Sequence, residues 1–321
     1  MTTLPGRTRS LISIITPTYN AGNTLAETLR SVEGQMNECT EHLLIDACSS
    51  DGTLETSRAF GWLNVTSEPD QGIYDGMNKG AALASGEWLL FLQADDWLPE
   101  GALEAYRHAI TIHSDADMIC GSSKAIKEVD GTWRPVWFVE NELHKRLTVE
   151  NVALGEPMIN ARLIRKECFQ RLGGFSTGYS LASDRDFLIR AALQGTKQIE
   201  IPEMTYQYRW HAGSSTMTEG NELTNRLSGE NLAIAKKYLR QLSGVERSAV
   251  RRWHDKLTIQ AGMNALESYD WGGLVTACLE GFRANRLWPA SFVAVLASSL
   301  PGFLMRGGKT RSQLLKEKRM S

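Results

Sequence analysis

What the 321-residue chain lacks narrows its function before any motif is read. It has five cysteines (Cys39, Cys48, Cys120, Cys168 and Cys278), and no two of them form a C-x-x-C pair. Widely spaced thiols in odd number indicate neither a zinc site nor a disulfide framework, and they fit a reducing compartment. No G-x-G-x-x-G follows a strand and no G-x-x-x-x-G-K-[ST] occurs, so both common glycine-loop solutions to phosphate binding are excluded. The histidines form no H-x-x-x-H or H-E-x-x-H pattern, and no internal repeat is present. Met1–Ser10 is polar, without the apolar run of a secretory leader, so a cytoplasmic location is expected. Net charge is only −2, which leaves no overall footprint for nucleic acid. Hydrophobic residues make up 42% of the chain, enough for a true core, so disordered and collagen-like classes are excluded.

The near-neutral sum hides an asymmetry. Residues 283–321 contain eight bases and one acid, Glu317, a net +7 that leaves −9 on residues 1–282. Leu287–Met305 carries no charge and is flanked by Arg286 and Arg306. A membrane span needs about 20 apolar residues. Pro289 and Pro301 are expected to cut this stretch to a short central helix, leaving an interfacial anchor, a buried helix pair or a span as its readings. The bases around it favour an anchor on an anionic membrane surface through 283–321, with the protein peripheral at the inner face of the cytoplasmic membrane.

Apolar runs alternate with helical spacing along the first 113 residues or so. Leu11–Ile15, His42–Asp46, Trp62–Thr66 and Glu87–Leu92 read as strands. Between and after them, Asn23–Glu33, Leu54–Phe60, Tyr74–Ala84 and a segment from Pro99 to about His113 read as helices. Such alternation predicts an α/β domain with a mostly parallel sheet covered by helices on both faces. Asp117–Ser122, Thr132–Val139 and Thr205–Trp210 read as further strands, and Ala161–Phe169 as a strand entering a helix. Asp184–Leu193 reads as a helix, and the pattern is helical from Glu222 onward. The expected division is an α/β domain over 1–220 and a helical appendage over 221–321.

Ligands of open α/β sheets sit beyond the carboxyl ends of the strands. Those ends are Thr16–Asn20, Asp46–Asp51, Glu68–Asp70 and Gln93–Asp96. Asp95 and Asp96 could hold Mg²⁺ or Mn²⁺ against substrate phosphates, or merely cap the turn before Pro99. Asp46 could accept from a base or ribose, or cap a turn, and Asp51 reads as a cap. Ser183-Asp184-Arg185-Asp186 opens a helix, so its acids are either caps or a general base. Tyr206–Thr216 sets Arg209 and His211 beside a Gly-Ser segment that could fold over a diphosphate.

Four stretches in series, Ile14–Asn20, Ile45–Thr53, Glu68–Gly80 and Gly86–Asp96, resemble those of family-2 glycosyltransferases of the bacterial surface-polysaccharide type. The likeness covers about residues 11–215. It implies a GT-A fold, a nucleotide-sugar donor, a divalent cation (Mn²⁺ or Mg²⁺), and a saccharide or polyprenyl-linked acceptor. It implies that Thr16, Pro17, Tyr19 and Asn20 line the nucleotide, that Asp46 contacts the base, and that Asn78 and Lys79 lie beside the site. The family's D-x-D element falls on Gln93-Ala94-Asp95, leaving Asp95 as the better metal candidate and Asp96 as the second. The catalytic base of an inverting transfer falls on Asp184, with Asp186 as alternate. Two departures stand out: Gln93 replaces an acid, and Ala47-Cys48 replaces the Asp-Gly of many relatives. A nucleotidyltransferase or a non-catalytic sugar-nucleotide-binding scaffold is the competing reading.

Overall fold

A computed structural model describes residues 12–139, 146–155, 158–211 and 222–305. The chain divides into two compact units, Met1–Met217 and Thr218–Ser321.

The first unit is built on an eight-stranded sheet. In chain order its strands are β1 (Ile12–Thr18), β2 (Thr40–Asp46), β3 (Asn64–Ser67), β4 (Trp88–Phe91), β5 (Met118–Val129), β6 (Thr132–Val139), β7 (Arg162–Arg165) and β8 (Gln198–Trp210). They lie in the order β3-β2-β1-β4-β7-β5-β6, with β8 pairing β5. Pairings among β3, β2, β1 and β4 are parallel, as is β5 with β8. The pairings β4–β7, β7–β5 and β5–β6 are antiparallel.

β1 runs to Thr18, beyond the expected Ile15, because it stays paired with β2 as far as Thr18↔Asp46. Its pairing with β4 ends earlier, at Ile15↔Phe91. Pro17 falls past that point, where a missing N–H costs no ladder bond on the β4 side. β5 and β8 are also longer than the sequence suggested, because they pair with each other from Met118↔Gln198 to Lys127↔Trp210 through two irregularities.

The helices around the sheet are α1 (Leu25–Glu33), α2 (Thr53–Ser57), α3 (Ile73–Leu83), α4 (Ala102–Ile112), α5 (Val149–Leu154), α6 (Lys166–Arg171) and α7 (Ser183–Leu193). Alternate side chains of a strand point to opposite faces. Ile12 and Ile14 of β1 share a core with Val32 of α1 and with Leu103 and Tyr106 of α4. Ile15 points the other way, onto α3, where a Cβ at Gly80 would stand only 2.3 Å from its Cγ2. The glycine lets α3 lie flat on β1 and β2. His42 is fully buried, with Nε2 2.8 Å from Thr16 Oγ1. Burial drives its pKa down to about 3, so it is a neutral core residue.

The second unit holds α8 (Glu222–Gln241), α9 (Gly244–Glu267), α10 (Trp271–Ala284) and α11 (Trp288–Met305). Trp288 is buried and its indole N–H donates to Thr258 Oγ1 at 2.7 Å. α11 is one helix that runs through Pro301, not the short central helix expected. Pro289 sits at its second residue, where the N–H would have no intrahelical partner. Among the described residues no helix is long and apolar enough to cross a membrane. The bases from Arg306 onward lie outside the described residues.

Candidate active site

The carboxyl ends of β1 to β4 open on a cavity of about 910 Å³. Its walls come from the β1–α1 loop (Pro17, Thr18, Tyr19, Asn20, Ala21, Asn23, Thr24), from Ala47 after β2, and from Pro69, Asp70, Gly72 and Ile73 between β3 and α3. Gln93, Ala94 and Asp95 after β4, and His211 after β8, complete it.

The β1–α1 loop is fixed by the loop beside it. Asn20 adopts φ 50°, a left-handed conformation that asparagine tolerates. Its N–H donates to Ser49 Oγ (2.8 Å), and its Oδ1 accepts from the Ser50 N–H (3.0 Å). The Ala21 N–H donates to Thr53 Oγ1 (2.8 Å) and the Gly22 N–H to Asp51 Oδ2 (2.9 Å). Asp51 also accepts from the Thr53 N–H at 3.0 Å, bracing the turn before the helix at Thr53–Ser57, whose N-cap is Gly52.

The β4 loop is clasped by β8. The Tyr206 hydroxyl donates to Asp96 Oδ2 (2.5 Å) and accepts from the Gln93 N–H (3.3 Å). The Arg209 N–H donates to Asp96 Oδ1 at 2.8 Å. Asp96 is therefore fully buried with both oxygens engaged, and does not stand beside Asp95 as a second metal ligand. Burial, and then the charge of Asp95, push its carboxyl well above the ordinary range. Arg209 is likewise no diphosphate donor. Its buried guanidinium donates to the Asp95 carbonyl and the Thr24 carbonyl, pairs with Glu27, and lies over the Trp97 ring at 4.9 Å. Sequence reasoning missed the reason: an arginine in a strand that pairs with a central one is drawn inward to satisfy loop carbonyls.

Asp95 and His211 do meet, with Nε2 3.0 Å from Oδ2, and both face the cavity. Among the described residues no group of three His, Cys, Asp or Glu side chains gathers as a metal site. One carboxylate and one imidazole nevertheless fit an ion that keeps its waters and takes remaining ligands from substrate phosphates. The Gly-Ser segment after His211, at 212–220, lies outside the described residues.

The other expected residues split into lining and supporting roles. Pro17, Tyr19 and Asn20 line the cavity, whereas Thr16 is buried against His42. Asp46 is buried, and its Oδ2 accepts from the Ser49 N–H (3.0 Å) and Ser67 Oγ (2.6 Å). Its Oδ1 is buried with no hydrogen-bond partner. Lys79 braces the β3–α3 loop from behind, donating to the Pro69 carbonyl at 2.6 Å and pairing with Glu68 at 3.0 Å. Asn78 reaches the segment before α7: its amide donates to the Phe175 carbonyl (2.8 Å) and accepts from the Phe175 N–H (2.9 Å).

Asp184, half-buried at the start of α7, accepts from its neighbour's Arg185 N–H at 2.7 Å. Tyr74 Oη lies 3.2 Å from Asp184 Oδ1 and 3.1 Å from the Leu181 carbonyl. Burial raises the Asp184 carboxyl above the ordinary range, against the pull of Arg185 and Tyr74. Asp186 is buried and bound to Arg190 (2.9 Å), whose guanidinium also donates to the Gly174 carbonyl (2.7 Å). That makes Asp186 a structural acid, not an alternate base. Tyr74 and the lining Asp70 went unassigned in the sequence, although both stand in its third motif. The available signal was Tyr74 standing one helical turn before Asn78 on one face.

Residues 13–184 match the family described as Glycosyl transferase family 2. A Mycobacterium bovis BCG protein named PGL/p-HBAD biosynthesis glycosyltransferase is 28% identical over 247 residues, 75% of this chain and 87% of that one. An uncharacterized glycosyltransferase of Haemophilus influenzae is 30% identical over 56% of this chain and 61% of its own. Among solved structures, S. aureus TarS 1-349 in complex with UDP-GlcNAc superposes with a TM-score of 0.62 at 18% identity, covering 85% of this chain and 81% of that one. The mannosyltransferase PcManGT from Pyrobaculum calidifontis, in complex with GDP-Man and Mn²⁺, gives 0.58 at 18% identity, covering 92% and 81%.

Proposed function

The chain belongs to glycosyl transferase family 2, and from that premise we propose that it is an inverting enzyme that moves a sugar from a nucleotide-sugar donor to a hydroxyl of a lipid-linked saccharide in surface-polysaccharide synthesis. One observation carries the reading. The cavity at the strand ends is bordered by the Asp95–His211 pair, and the residue after its Ile73 wall, Tyr74, reaches a half-buried carboxylate, Asp184. The complexes of the two structural neighbours, one with UDP-GlcNAc and one with GDP-Man and Mn²⁺, support a nucleotide-sugar donor.

The donor nucleotide lies against Pro17, Tyr19 and Asn20, whose loop is braced in advance by Ser49, Ser50 and Thr53. Asp70, which lines the cavity, is the acceptor offered to a base N–H, while Asp46, fully buried and held by Ser49 and Ser67, supports the end of β2. Asp95 and His211 would hold the divalent cation, and the imidazole favours Mn²⁺ over Mg²⁺. When bound, the cation neutralises charge on the departing nucleoside diphosphate. Asp184 takes the proton of the acceptor hydroxyl as its oxygen bonds to the anomeric carbon. The bond from that carbon to the diphosphate breaks on the opposite face, so one displacement inverts the anomer. A base with a raised pKa sits closer to working pH and receives the proton more readily. The enzyme works at the inner face of the cytoplasmic membrane, held there by the basic segment 283–321.

The test is turnover of a donor chosen from common nucleotide sugars by thermal shift, since a bound ligand raises apparent stability. Asp184→Asn lowers kcat by about 10²- to 10⁴-fold and leaves donor binding in place. Asp95→Ala weakens Mn²⁺-dependent donor binding. If both variants turn over donor like the unaltered enzyme, the site is misassigned.

A further inference from the structure

The second unit turns an apolar stripe outward. On α10, Trp271, Val275, Leu279 and Phe282 are 66, 58, 51 and 52% exposed. Their i, i+4, i+8, i+11 spacing lays them along one side of the helix. The opposite side is the packed one: Ala277 and Gly281 are buried, and a Cβ at Gly281 would stand 2.2 Å from the Trp288 ring. α11 adds Val293, 60% exposed, within an uncharged stretch from 287 to 305. Contiguous exposed apolar surface of this kind marks an interaction site.

The surrounding charge identifies the partner. Arg283 and Arg286 adjoin the stripe in sequence, and six more bases with one acid follow between 306 and 319. Within the second unit the whole charge excess falls in 283–321, because residues 218–282 balance to zero. A two-fold pairing with a second copy would set this patch against itself, base against base. An anionic lipid surface offers the complementary charge, and each Lys or Arg brought near it strengthens binding about fivefold.

We propose that the outer face of α10 docks on an anionic phospholipid bilayer, with Trp271, Val275, Leu279 and Phe282 entering the headgroup–acyl boundary and Arg283 and Arg286 meeting the headgroups. The helix lies in the interface and does not span it. The stripe, not the 287–305 segment alone, is the apolar half of the anchor. The inference rests on the membrane location proposed above and is independent of which sugar or acceptor the enzyme uses.

The experiment is co-flotation of the full chain with vesicles of equal parts phosphatidylglycerol and phosphatidylcholine, and with phosphatidylcholine alone. Retention on the anionic vesicles, falling steeply with salt, is expected. The triple variant Val275→Ser, Leu279→Ser, Phe282→Ser replaces exposed side chains only, so its helix content is retained and its donor turnover without vesicles matches the unaltered protein. Its retention falls by at least tenfold. Retention of the variant equal to that of the unaltered protein overturns the proposal, because charge alone would then hold the protein. A chain mass of two copies by light scattering that drops to one in the variant also overturns it, in favour of a dimer face. Absence of flotation on the anionic vesicles does the same.

Discussion

Tyr74→Phe removes one oxygen and tests whether the hydroxyl of α3 sets the proton affinity of Asp184. That hydroxyl has a single proton and two acceptors in reach, the Leu181 carbonyl at 3.1 Å and Asp184 Oδ1 at 3.2 Å. Hydrogen bonds to charged groups contribute about 1.5–3 kcal/mol. If the proton goes to the carboxylate and about half of that energy is specific to the ionised form, its loss raises the Asp184 pKa by about one unit, since a unit corresponds to about 1.4 kcal/mol. The sign follows from the bond's preference for the charged acid: removing it favours the protonated, inactive form. Burial already holds this pKa above the ordinary range, so the acid limb of the rate profile starts high and moves higher. The assay is kcat against pH at saturating donor. The limb is expected to shift alkaline by about one unit, so that well below it the variant is roughly tenfold slower while the high-pH plateau changes little. An unmoved limb refutes the reasoning and assigns the proton to Leu181. A uniform loss at every pH refutes it too, because the hydroxyl would then only place the acid and not tune it.

Other substitutions separate structural from chemical roles. His42 is neutral in the fold, with a pKa of about 3, and becomes protonated near its ordinary value once unfolded. Its depressed pKa therefore costs stability as pH falls through the unfolded value, about 2 kcal/mol between pH 7 and pH 5. In urea melts at both pH values, His42→Gln should lack that part of the acid loss. Gly80→Ala, which in an exposed helix gains up to about 1 kcal/mol, should here destabilise by about 1–3 kcal/mol, because the new Cβ meets Ile15 Cγ2 at 2.3 Å. A melting temperature at or above that of the unaltered protein would show that α3 can shift off β1. Asp96→Ala strands the Tyr206 hydroxyl and the Arg209 N–H, and should lower stability by about 2–4 kcal/mol; Asp95→Ala should leave the melt nearly unchanged while removing the response to Mn²⁺.

The sheet was legible because its inner strands carry short apolar runs, Ile14-Ile15, Leu43–Ile45 and Trp88–Phe91. Ile12–Thr18 and Trp88–Phe91 are buried throughout, and a run buried on both faces needs no alternation to be recognised. The strand ends were less legible: Thr16, Pro17 and Thr18 are not apolar, yet they are buried within β1, which stays paired with β2 as far as Thr18↔Asp46. Which acid does what was not legible. Asp95 and Asp96 are adjacent and chemically identical, yet successive positions point apart, so one faces the cavity and the other is tied to Tyr206, 110 residues later. Asp184 and Asp186 differ for a similar reason. Asp186 stands four residues before Arg190 and pairs with it, while Asp184 meets Tyr74, also 110 residues away. Sequence spacing reports the i,i+4 pair and is blind to the distant one. Arg209 was misread because a cation beside a histidine and a glycine-serine segment suggests phosphate, whereas its guanidinium answers loop carbonyls that only the closed fold brings near.

α3 ties these observations together. Its first turn supplies Gly72 and Ile73 to the cavity wall, and Gly72 takes φ 115°, open to glycine and strained for other residues. The next residue, Tyr74, contacts Asp184, and one turn on, Asn78 bonds both backbone groups of Phe175 in the segment leading to α7. Gly76 and Gly80 keep the opposite side of the helix flat against β1 and β2, so the helix has little freedom to move alone. A displacement of α3 large enough to reshape the donor cavity therefore also displaces the hydroxyl on Asp184 and the amide on Phe175. On the proposed mechanism, donor seating and base geometry are coupled through one rigid element. That explains why a single contiguous stretch, Glu68–Gly80, carries a lining acid, a bracing lysine, a positioning tyrosine and two packing glycines.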